Sequence, residues 1–232
     1  MSYSVLFSAF LGHRWPIVGR AAVLCLALAA ASACEVLARN APPERLEGVI
    51  TWVNNKALVP ADGDTARTET ETTTVTLDVV LVVTGSRNGV SLYEVAHGGW
   101  TAEGSGRVEE HRSGCTMTRD TRIALHGGFG SPRNSVTLLQ NRPARTGLLS
   151  FSLAHGQGVV RTDTNYCDKQ TVTQNSASYW SVSDVALEVT PERGADGVTR
   201  FVVSGERTGP CEGDLTCTRT ASGVLEPVRA TT

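Results

Sequence analysis

Three times along the chain a glycine is followed by the same order of side chains, and that order belongs to β-strands. Gly89-Val-Ser-Leu-Tyr93-Glu-Val95-Ala-His97-Gly98, Gly147-Leu-Leu-Ser-Phe151-Ser-Leu153-Ala-His155-Gly156 and Gly197-Val-Thr-Arg-Phe201-Val-Val203-Ser204-Gly205 share one template. It runs glycine, aliphatic, two variable positions, aromatic, variable, aliphatic, small and, at its end, glycine. A candidate strand precedes each copy (Leu77 to Val83, Val136 to Leu139, Val185 to Val189) and a cysteine-bearing segment follows it. Cys115 and Cys217 open threonine-rich strands. Gly104-x-Gly106-x-Val108 stands at the same distance from Cys115 as Gly156-x-Gly158-x-Val160 from Cys167. Three units of strand, turn, strand and Cys segment describe this pattern, and units of that kind cannot bury their apolar faces alone, so they must share a core.

Periodicity elsewhere agrees. Val75, Leu77, Val79, Leu81 and Val83 alternate with Thr74, Thr76 and Asp78 before the run turns continuously apolar, which predicts one core face and a far end buried on both faces. Asn88-Gly89 predicts a type I′ hairpin turn, because both residues tolerate positive φ. Apolar residues recur at period two and glycine punctuates the chain, so no amphipathic helix of normal length is expected. The fold class is all-β: a single antiparallel domain over residues 46–228, a sandwich or a barrel built from about three such units, with a β-trefoil as the alternative.

Residues 1–33 read as an export signal. Arg14 and Arg20 supply positive charge, Ala21 to Ala30 is too short to span a hydrocarbon core, and Ala31-Ser32-Ala33 is a small-residue cleavage site. Residues 34–45, with Pro42-Pro43, form a tether. Ala31-Ser32-Ala33-Cys34 resembles the lipobox of bacterial lipoproteins, although Ala31 stands where that family prefers leucine. The resemblance implies a diacylglycerol on the Cys34 thiol and a membrane partner reached through that anchor. Glu35 then favours the outer membrane over inner-membrane retention. Ordinary signal peptidase cleavage before Cys34, giving a secreted protein, is the alternative. Removal of Cys25 and lipidation of Cys34 leave Cys115, Cys167, Cys211 and Cys217, an even set suited to two disulfides in an oxidising compartment. Cys211 and Cys217 bracket a turn-like segment and Cys115 and Cys167 end comparable units, while the other two connectivities stay open.

A net charge of −2 without a Lys/Arg cluster lacks the footprint of a nucleic-acid binder, so no nucleic acid is expected. His97 and His155 occupy matching positions, but no zinc-ligand spacing occurs, and neither metal nor cofactor is expected. Gly104-Ser105-Gly106 lacks the context of a nucleophile elbow. Glu109-Glu110 points to opposite faces by alternation, and Glu69 and Glu71 read as a solvated pair. No catalytic residue is assigned. Trp100 and Trp180, with Trp52 and Tyr179, are candidate ligand-binding aromatics, since sugar-binding β modules use exposed aromatic platforms. The expected function is an exported, lipid-anchored cell-envelope protein with a structural or binding role and an unidentified envelope partner. A secreted carbohydrate- or protein-binding module is the alternative. An envelope hydrolase, which would need His97 or His155 beside a carboxylate or serine, ranks third.

Overall fold

The computed structural model describes residues 42–58, 67–112, 114–167, 171–175, 180–195, 198–211 and 215–228. The export signal, Cys34 and Tyr179 lie outside them. Residues from Pro43 onward form one compact unit, and their described part contains eleven strands and no helix: β1 (Arg45–Leu58), β2 (Arg67–Arg87), β3 (Val90–Arg112), β4 (Cys115–Gly128), β5 (Ser135–Asn141), β6 (Thr146–Ala154), β7 (Gln157–Tyr166), β8 (Thr171–Asn175), β9 (Ser181–Arg193), β10 (Thr199–Pro210) and β11 (Leu215–Pro227).

All eleven belong to one antiparallel sheet, and its pairing returns to its start. β1 pairs with β2 and β2 with β3. One edge of β3 then carries β5 along Val90 to Glu94 and β4 along Gly99 to Arg112. The branches continue as β5–β6–β9 and β4–β7–β8. β9 pairs with β10, β10 with β11 and β11 with β1. β4 with β5, β6 with β7 and β8 with β9 are thus successive halves of three long strands, and eight staves form a closed ring. In rings of this strand number the interior is just wide enough for side chains to fill or for one small ligand.

The sequence units appear with one difference. β2-β3-β4 and β9-β10-β11 are meanders of neighbouring strands, whereas β7 leaves β6 and pairs with β4. Asn88 (φ 53°) and Gly89 (φ 79°) both adopt positive φ, as a type I′ turn requires. Val75, Leu77, Val79 and Leu81 are fully buried on the inner face. Val80 and Val82, expected to be buried as well, are only half-buried. They face outward, opposite Glu47 and Arg45 in the neighbouring strand.

One end of the ring is filled. Leu46, Leu77, Leu81, Tyr93, Leu138 and Phe201 are at most 1% exposed there, and the β2–β3 and β5–β6 turns are tied by the Arg142 amide donating to the Gly89 carbonyl at 3.0 Å. The disulfides lie at the opposite end. Cys115–Cys167 joins the start of β4 to the residue after β7, and Cys211–Cys217 clips the β10–β11 turn. The oxidised pairs suit an extracytoplasmic compartment. Outside, Arg107 pairs with Glu109 at 2.6 Å and with Asp120 at 3.5 Å. The Thr173 hydroxyl and the Arg161 guanidinium hold the Asp163 carboxyl below its usual range. Exposed aliphatic residues also occur outside, in the cross-strand pairs Val49↔Val224 and Leu139↔Leu148.

Tyr93 gives this core a pH limit. Burial raises its phenol from the ordinary 10.0 to about 12, against a smaller opposing effect of Arg142. The hydroxyl donates to Gln140 Oε1 over 3.5 Å. Because the folded state holds the proton more tightly than the unfolded chain, this contribution is complete below pH 10 and is lost as pH rises toward 12. The slope is at most about 1.4 kcal/mol per pH unit. Melting curves across this window should fall more steeply for the wild type than for Tyr93→Phe. Parallel curves would show that Tyr93 ionises freely.

Candidate functional site

At the disulfide end the ring interior changes from filled to hollow. The cause is a ladder that stops early. β9 and β10 pair from Thr199↔Arg193 to Val203↔Val189. Both strands then continue, β10 to Pro210 and β9 back to Ser181, without pairing to each other. The positions that would extend the register, Ser204 to Arg207 on one side and Asp184 to Glu188 on the other, line a cavity of about 1030 Å³. That volume is at the upper end for small-molecule sites, which run to roughly 1,000 Å³.

Its inner wall is apolar. Trp52, Ile123 and Ala221 are buried there, and Val160, Trp180, Val185 and Leu187 are half-buried. Toward the mouth the same inward register positions turn polar. Asn54 accepts from Arg219 Nε at 3.3 Å, Lys56 Nζ meets Glu71 Oε1 at 3.3 Å, and Thr73 donates to the same Glu71 oxygen at 3.3 Å. Arg207 is the cross-strand neighbour of Arg219, so two guanidinium groups share one face. A smaller recess of about 340 Å³ shares Glu71, Thr121, Thr162 and Gln174 with this cavity and extends it along β4, β7 and β8. Glu69 and Glu71, read from sequence as solvated, therefore face the ring interior.

No family model matches the chain, and no curated protein matches it either. The site is therefore read from its geometry.

Trp100 and Trp180 do meet, but not as an outer platform. Their rings stack with centroids 5.5 Å apart and planes at 22°. Trp100 is 2% exposed and belongs to the core, while half-buried Trp180 forms part of the cavity wall. Trp100 is seated against two glycines: a Cβ on Gly156 would lie 2.5 Å from the indole, and one on Gly127 2.7 Å from it. Gly98 and Gly99, which precede Trp100, are inside β3. Trp52 packs edge-on to Phe151 at 5.9 Å and 81°. Its buried indole N–H has no acceptor among the described residues.

The histidines lie elsewhere. His97 is exposed and accepts from Arg45 at 3.2 Å, and His155 is exposed and accepts from Arg133 at 2.6 Å. The hydrogen-bond partner of each is an arginine, and neither lines the cavity. Among the described residues no cluster of three His, Cys, Asp or Glu side chains could hold a metal ion. The cavity residues Asn54, Lys56, Thr73 and Arg219 escaped the sequence reading. Their only signal was the change from apolar to polar at alternate positions after Trp52 and before Val75.

Proposed function

We propose that this is an exported cell-envelope protein, anchored through lipidated Cys34, which acts by binding and receives its partner in the cavity between β9 and β10. The cavity carries this reading. A hollow of this size costs dispersion contacts and leaves the lining short of neighbours.

Anilinonaphthalene sulfonate, an apolar ring system with one negative charge, should brighten on binding the wild-type protein. Gly205→Trp places an indole where nothing lies within 4 Å of the added Cβ, and should weaken that binding about tenfold, or roughly 1.4 kcal/mol. Equal brightening of both proteins would remove the cavity as the site. Intact mass of protein from the host's membrane fraction should show an N-terminal Cys34 carrying acyl chains. An unmodified soluble species would favour the secreted binding module instead.

A further inference from the structure

We infer that the cavity's partner is an extended polypeptide segment, which docks as an added strand between the free edges of β9 and β10 and completes the ring at its open end. This rests on the binding reading above and names the class of partner. Its basis is the stopped ladder. The other edge of β10 is paired with β11 as far as Pro210↔Thr216, and the other edge of β9 is paired with β6 down to Ser181↔Ala154. Beyond Val203↔Val189, among the described residues, each strand therefore presents one edge without a strand partner toward the same space. Such edges are templates for a further strand, and backbone pairing on both sides would give an inserted segment its affinity.

The slot has ends and two faces. Val203↔Val189 closes it below. Above, β9 is interrupted at Asp184 (φ 55°), where its register with β6 shifts. Between these limits it accepts a segment about five residues long. On the inner face Gly205 has no side chain and open space above its Cα, Ala221 is its small neighbour, and Leu187 lies across the gap. An apolar side chain of the incoming strand fits there. On the outer face Glu188 and Glu206 are exposed on opposite sides of the slot. Their cross-strand neighbours on the paired sides, Leu148 and Thr220, carry no charge. The outward positions of the guest would therefore be lysine or arginine. The favoured segment alternates apolar and basic residues.

A labelled peptide alternating valine and lysine tests this with the full mature protein. It should bind at least about tenfold more tightly than its valine–glutamate counterpart, the effect of two cross-strand charge pairs. Binding should slow amide hydrogen exchange along both Ser204 to Thr208 and Asp184 to Glu188. The surface double variant Glu188→Lys with Glu206→Lys should invert the preference between the peptides. Binding that protects neither edge would overturn strand insertion. So would failure of both peptides to bind while anilinonaphthalene sulfonate still brightens in a manner sensitive to Gly205→Trp, in which case the cavity reading survives. If neither the dye nor the peptides bind, both readings fall.

Discussion

Phe151→Ala should lower the unfolding free energy by about 3–5 kcal/mol, the range for deleting a buried aromatic ring. Phe151 is 1% exposed in the middle of β6 and packs edge-on to Trp52. The hole left behind cannot collapse, because β6 is held on both sides, by β5 at Val136 and by β9 at Val185. Urea denaturation should give a lower midpoint with an unchanged slope. Trp52, which forms part of the cavity wall, should respond in its fluorescence as well. A loss below about 1 kcal/mol would mean that the ring interior is loosely packed around Phe151.

The second large effect is that of the disulfides. Cys115 and Cys167 are 52 residues apart and Cys211 and Cys217 are 6 apart. In the chain-entropy account the longer loop contributes about 4 kcal/mol and the shorter about 2 kcal/mol. Serine replacement of each pair should reproduce that order in denaturant midpoints. Equal losses from the two pairs would contradict the loop-length account. Because both bridges sit at the cavity end, amide exchange should quicken there first while the closed end stays protected.

Much of this fold was legible in the residues. Alternation marked Val75 to Leu81 as a core-facing strand, Asn88-Gly89 fixed a turn, and the four cysteines pair as the bracketed turn and the matching strand ends suggested. The positions of the polar cavity residues were not legible, for a physical reason. Lys56, Glu71 and Thr73 alternate with outward residues as any solvated strand face would, and only closure of the ring makes that face an interior. Trp100 misled in another way. Flanking glycines usually signal a loop, whereas here Gly127 and Gly156, from β4 and the β6–β7 connection, clear room for a buried indole, and no local pattern reveals a gap needed by a distant side chain. The pairing of β7 with β4 is likewise a long-range choice. The cysteine spacing hinted at it, since Cys115 and Cys167 can meet only if their strands are neighbours.

Ring closure also governs when the protein can fold. β1 and β11 pair from Leu46↔Pro227 to Leu58↔Leu215, so the first strand to emerge waits for the last. A nascent chain still lacking β11 holds β1 and β10 as bare edges, and contacts this distant in sequence form slowly. The ring is therefore completed only once its C-terminal strand has arrived. A truncation that removes β11 would leave two sticky margins in place of a seam, and aggregation rather than a smaller domain is its expected fate.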